Sequence, residues 1–75
     1  MKTVVYTKPG CGQCRFVMRW LDSRKIPYQK VNIQEDAESM DKVQNSEFTS
    51  LPIVEIDGKL VFNGFNETKL ESNFG

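Results

Sequence analysis

Two strand-forming stretches flank a helical one between Lys2 and Ile33, and this succession limits the fold more than any other feature of the chain. Lys2–Thr7 carries Val4, Val5 and Tyr6 in a row rather than alternating with polar residues, the pattern of a strand covered on both faces. Cys11 to about Lys25 reads as a helix, with Phe16, Val17, Trp20 and Leu21 on one apolar face and Arg15, Arg19 and Asp22 away from it. Pro27 ends that helix and pushes Ile26 towards an extended conformation, so Tyr28–Ile33 becomes a second strand. Strand, helix and strand within about 30 residues make a βαβ unit, whose strands run parallel through a right-handed crossover.

The remainder adds a weaker helix, a hairpin and a last helix. Gln34–Ser46 is helical, with Asp36 as N-cap and Ala37, Met40 and Val43 on one side. Ile53–Ile56 and Lys59–Phe62 flank Asp57-Gly58, a strong two-residue hairpin signal. Asn66 caps the final helix, Phe65 and Leu70 are spaced for a hydrophobic staple, and Leu70 and Phe74 face the core. The predicted order is β-α-β-α-β-β-α: an α/β fold with a four-stranded mixed sheet flanked by helices. No repeat, linker or low-complexity stretch divides it, so residues 1–75 are expected to form a single domain.

Composition narrows the function. Hydrophobic residues are 39% and charged residues 27% of the chain, a soluble globular profile. Ten basic residues balance ten acidic ones, which argues against a nucleic-acid binder held by phosphate contacts. MKTVVYT lacks the apolar core and cleavage site of a signal peptide, and no apolar run is long enough for a membrane span. The expected location is the cytoplasm, and the Asn66-Glu67-Thr68 sequon carries no weight there. A monomer is expected, since no large apolar face is left over once the core is assigned.

The chemistry sits in TKPGCGQC, residues 7–14, which holds the only two cysteines, Cys11 and Cys14. In the reducing cytosol a C-x-x-C pair is more often catalytic or metal-binding than a structural staple. Cys11 falls where the first strand turns into the first helix, so free backbone N–H groups and the helix dipole favour its thiolate. Lys8 adds a nearby positive charge, and Gly12 and Gln13 fill the positions between the sulfurs. Cys14, Val17 and Leu21 share a face at i, i+3, i+7, which puts Cys14 in shelter behind Cys11. An exposed nucleophile with a sheltered resolving thiol is the arrangement of two-step disulfide exchange. As a staple the pair is poorly placed, because so short a loop restrains the unfolded chain little. As a metal site it lacks ligands: two Cys and no His fall short of the usual four for zinc, so only a dimer sharing a metal or an iron–sulfur cluster would serve.

Leu51-Pro52 precedes the third strand, where a proline is tolerated. A cis bond there would turn the backbone N–H and C=O of Leu51 outward beside Cys11, free to pair with an extended substrate. An ordinary trans proline is the alternative; the βαβ-hairpin topology favours cis. The acidic group Glu35, Asp36, Glu38 and Asp41 reads as a solvated helix start, and Trp20 as core.

These residues together resemble the small glutaredoxin-like proteins of the thioredoxin superfamily, through YTKPGCGQC, LPIV and NGF. Within that superfamily the chain is most similar to NrdH-redoxins. Gly12-Gln13 stands where glutaredoxins carry Pro-Tyr, Ser50-Leu51-Pro52 where they carry Thr-Val-Pro, and Asn63-Gly64-Phe65-Asn66 where they carry Gly-Gly and an acidic residue. The chain departs from the NrdH pattern at Phe62, Asn63 and Asn66, which replace Trp, Ser and Arg, and Thr7-Lys8-Pro9 is glutaredoxin-like. The resemblance implies a thioredoxin/glutaredoxin fold, no bound cofactor or metal, and a partner groove shaped by Leu51, Pro52, Gly64 and Phe65. It also implies electrons from NADPH through thioredoxin reductase, delivered to class Ib ribonucleotide reductase. Two other functions stay open: a glutathione-dependent glutaredoxin using Lys8 and the Asn66–Glu67 helix start, and a dimeric iron–sulfur carrier ligated through Cys11. Redoxins with such mixed features also occur in phages, which fits a phage source acting in a host cytoplasm.

Overall fold

The structure, a computed structural model, describes residues 1–75. The elements are β1 (Thr3–Thr7), α1 (Gly12–Ser23), β2 (Gln29–Asn32), α2 (Ala37–Gln44), β3 (Ile53–Ile56), β4 (Lys59–Asn63) and α3 (Glu67–Phe74), in the expected order. The sheet has four strands in the order β2-β1-β3-β4. β1 pairs in parallel with β2 and antiparallel with β3, and β3 pairs antiparallel with β4. The chain therefore has the mixed sheet and flanking helices of the thioredoxin-like fold.

All five residues of β1 are buried, as its continuous apolar run requires. Its side chains alternate between two cores. Val5 packs with Val17, Leu21, Val54, Phe62 and Leu70 on the side of α1 and α3. Val4 and Tyr6 pack with Ile33 and Ile53 on the other side, where Met40, Val43 and Phe48 close the cluster. Two buried polar groups border this second core. Tyr6 Oη donates to Glu55 Oε1 at 2.9 Å, and the Lys42 ammonium from α2 is hydrogen-bonded to the same carboxylate. Burial, then the hydrogen bond to Glu55, raise the Tyr6 pKa, and the Glu55 hydrogen bond raises that of Lys42.

Local chemistry sets the element ends. At the hairpin tip Asp57 (φ 51°) and Gly58 (φ 87°) both lie in the left-handed region, as a two-residue primed turn demands. α1 stops two residues before the expected Lys25. Lys25 takes φ 57°, its N–H donates to Asp22 O, and the Ile26 N–H donates to Leu21 O, both at 3.0 Å. This is a Schellman termination with lysine where glycine is usual, so the sequence carried no glycine to mark it. Phe16 is 53% exposed and leaves the apolar face to Cys14, Val17 and Leu21. In α2, Ala37 is exposed and Ser39 is the buried residue. Asp36 holds the N-cap position, but its carboxylate accepts from Ser39 Oγ at 2.8 Å instead of from a backbone N–H. Asn66 caps α3 by accepting from the Lys69 N–H at 3.1 Å. The expected staple would shelter Phe65, which is 37% exposed with its ring against Phe16.

Candidate active site

The segment joining β1 to α1 is built around a Pro-Gly turn. The Cys11 N–H donates to Lys8 O at 3.3 Å, and Gly10 has φ 78°, the left-handed corner of a type II turn with Pro9 before it. The turn delivers Cys11 to the N-cap of α1, where its Sγ accepts from the Cys14 N–H at 3.2 Å. Cys11 and Cys14 form a disulfide with Cα atoms 5.3 Å apart, inside the range such a bond needs. Their exposures differ: Cys14 is fully buried in the α1 face and Cys11 is half-buried. Gly12, the first helical residue, is exposed, and a Cβ there would meet nothing within 4 Å.

Two further loops join this one. The Leu51–Pro52 bond is cis. Pro52 is buried, and its carbonyl accepts from the Gly64 N–H at 2.8 Å. Asn63 Nδ2 donates to Ser50 O and Oγ at 3.2 and 2.9 Å, which ties the segment before the proline to the end of β4. Leu51 is half-buried, and neither its N–H nor its C=O takes part in a turn or loop hydrogen bond. Gln13 crosses to the third loop, where its Oε1 accepts from the Phe65 N–H at 2.9 Å. Gly64 has φ 77°, and a Cβ on it would come within 3.2 Å of that same Oε1. Gln13, Gly64, Phe65 and Pro52 thus form one connected set starting at the cysteine helix.

Lys8 is exposed and borders two hollows. One, of about 430 Å³, is lined by Ile33, Met40, Val43, Phe48 and Leu51 among others. The other, of about 330 Å³, opens beside Cys11 and takes in Arg15 and Lys30. The sequence reading missed this second hollow because its lining is drawn from β1, α1 and β2, which only the folded sheet brings together. It also missed Asn63 as the tie to Ser50, and Phe16 as an exposed ring 5.7 Å from that of Phe65. No group of three or more His, Cys, Asp or Glu side chains is placed to hold a metal ion, and no helix is long and apolar enough to cross a membrane.

Comparison with known proteins decides the family, because the glutaredoxin family profile matches residues 3–61. The chain belongs to the glutaredoxin family. It is 35% identical over 66 residues to the glutaredoxin-like protein NrdH of Lactococcus lactis, covering 88% of this chain and 90% of that one. The structure of the NrdH-redoxin of Escherichia coli superposes with a TM-score of 0.88 at 25% identity, covering 100% of this chain and 97% of that one. Gene 56 protein of Mycobacterium phage D29 is 28% identical over 68 residues, covering 89% of this chain and 76% of that one. This glutaredoxin is thus an NrdH-like thiol–disulfide oxidoreductase, with its cysteine pair at disulfide distance.

Proposed function

We propose that this glutaredoxin reduces protein disulfides with Cys11 as nucleophile and Cys14 as resolving thiol, in the manner of an NrdH-redoxin. The unequal placement of the two sulfurs carries the reading. Cys11 Sγ sits at a helix N-terminus and accepts a backbone N–H, while Cys14 is fully buried behind it. In the reduced protein the Cys11 thiolate attacks one sulfur of a substrate disulfide, which forms a mixed disulfide and expels the other sulfur as a thiolate. Cys14 then loses its proton and attacks Cys11 Sγ. The Cys11–Cys14 disulfide forms and the second substrate thiolate leaves, so two electrons pass from the pair to the substrate.

Lys8 and Gly12 support the thiolate, Lys8 by its charge and by fixing the Cys11 N–H, and Gly12 by supplying an unobstructed first helical position. Gln13 acts indirectly, by fixing Phe65. Leu51, Pro52, Gly64 and Phe65 shape the partner groove, where the free backbone groups of Leu51 pair with an extended substrate chain. The electrons come from NADPH through thioredoxin reductase, and the target is ribonucleotide reductase, in the cytoplasm. The thioredoxin-like activity profile described for the Escherichia coli NrdH-redoxin supports this choice of reductant.

A glutathione-dependent cycle is the second reading, favoured by Lys8 beside both hollows. Against it, Asn66 has no carboxylate to pair with a ligand ammonium, and its Oδ1 is already occupied by the Lys69 N–H. The test is a paired assay. Oxidised protein is offered NADPH with thioredoxin reductase, and separately NADPH with glutathione and glutathione reductase. Fast NADPH consumption with thioredoxin reductase alone is expected; fast consumption with glutathione alone would replace this reading with the second.

A further inference from the structure

The hollow beside Cys11 has a one-sided charge. Thr7, Lys8, Cys11, Arg15, Lys30 and Asn32 line it, and no acidic residue does. Its three cations come from the turn after β1, from α1 and from β2, so no single amphipathic face explains their meeting. None is spent on an ion pair: the salt bridges of the molecule are Arg24–Glu71 and Lys42–Glu55. In a chain of zero net charge this is local segregation, not a general basic excess. One Cys11 thiolate neutralises one of the three cations and leaves two without an anion.

We infer that this hollow is a carboxylate subsite, and that the protein prefers disulfides carrying an acidic side chain beside the attacked cysteine. The inference rests on the disulfide-reductase reading above and adds the substrate class. The chemistry of exchange is unchanged: the thiolate charge leaves Cys11 for the departing sulfur as the mixed disulfide forms, and two electrons still pass to the substrate. At that moment the cations lose their thiolate, and the substrate carboxylate replaces it. A unit charge about 7 Å from a carboxylate, in a dielectric close to that of water, favours binding by about threefold. Two or three such cations together give about tenfold, decaying as salt shortens the screening length.

The test uses reduced, desalted full-length protein in single-turnover oxidation, followed by quenched mass spectrometry, so that no reductase is involved. The substrates are small disulfides of similar size: dithiodiglycolate (anionic), hydroxyethyl disulfide (neutral) and cystamine (cationic). A second set, peptide disulfides with Glu, Gln or Lys beside the cysteine, separates an acidic side chain from a small molecule's own carboxylate. The expected result is an anionic-over-neutral rate ratio of about tenfold at low salt in both sets, with the cationic disulfide slower than the neutral one by a similar factor and all three rates converging at high salt. Lys30→Glu should abolish or invert the ratio and Lys30→Arg should keep it. Lys59→Glu, which changes the net charge equally at the far hairpin end of the sheet, should leave it unchanged. A ratio near one in the native protein would overturn the inference. So would an equal fall of all three rates in Lys30→Glu, which would mean that the cations act on the thiolate alone. A preference confined to the small disulfides would overturn the assignment to an acidic side chain. Oxidation by none of the disulfides would overturn the reductase reading itself, and the subsite with it.

Discussion

Replacing Gln13 by Met should release the loop before α3 without disturbing the cysteine helix. The side-chain volume is nearly kept, and what is lost is the acceptor for the Phe65 N–H, at present 2.9 Å from Oε1. An intramolecular hydrogen bond contributes about 0.5–1.5 kcal/mol net, and this one is exposed, so water takes over part of the role and the lower half of that range applies. At about 1.4 kcal/mol per tenfold, Phe65 amide exchange should accelerate about two- to fivefold. The Gln13→Glu substitution keeps an acceptor, and a charged acceptor binds an N–H more strongly. That variant should therefore hold or increase the protection. Hydrogen exchange followed by NMR reads this residue by residue, with the Lys69 amide as internal control, since Asn66 and not Gln13 accepts from it. Unchanged Phe65 exchange in Gln13→Met would refute the coupling. So would equal acceleration in Gln13→Glu, because the effect could not then come from the acceptor.

Other outcomes follow from the same structure. Cys11→Ser should abolish disulfide reduction, whereas Cys14→Ser should accumulate a mixed disulfide with a protein partner, visible on non-reducing gels; full dithiol turnover in Cys14→Ser would reverse the assigned roles. Leu21→Ala, at a fully buried position on the inner face of α1, should cost about 2–5 kcal/mol in urea unfolding, enough to threaten so small a chain. Lys42→Met should destabilise by about 1–2 kcal/mol near neutral pH, because Glu55 stays buried with only Tyr6 as partner; the 42% exposure of Lys42 keeps the figure below that of a wholly buried pair. The pKa values of Lys42 and Tyr6 are both raised on folding, so their contribution is complete below pH 10 and is lost as pH rises through their folded values. Unfolding curves measured from neutral to strongly alkaline pH should locate that loss above pH 10, and Lys42→Met should remove the part owed to Lys42 while leaving the part owed to Tyr6.

The sequence reveals this fold wherever local signals and tertiary packing agree. The Val4-Val5-Tyr6 run, the Asp57-Gly58 turn and the Asn66 cap each have one low-energy solution, and each adopts it. Lys25 shows the opposite case. A left-handed lysine is locally disfavoured and is accepted because it closes the Schellman bonds and returns Ile26 to the core. Phe16 misled because helical spacing cannot say which side of a wide apolar stripe meets the sheet; Cys14 and Val17 took the buried arc. The position of the cysteines was legible because proximity in sequence is proximity in space within one helical turn. The Gln13–Phe65 tie, the Asn63–Ser50 tie and the Lys8–Arg15–Lys30 hollow were not, since each joins residues far apart along the chain whose meeting depends on strand order.

The depth of Cys14 also governs how the reduced protein meets peroxide. Of the two sulfurs Cys11 is the more exposed, so an oxidant should reach it first and leave a sulfenic acid there. Further oxidation to sulfinic acid needs a second collision from solvent, whereas closure onto Cys14 needs only a neighbour whose Cα is already 5.3 Å away. Closure expels water and yields the Cys11–Cys14 disulfide seen in the structure. Peroxide-treated protein should therefore weigh two hydrogens less than the reduced chain and carry no added oxygen. A stray oxidation event should then end in a disulfide and not in an overoxidised sulfur, with the more exposed sulfur protected by the one that solvent cannot reach.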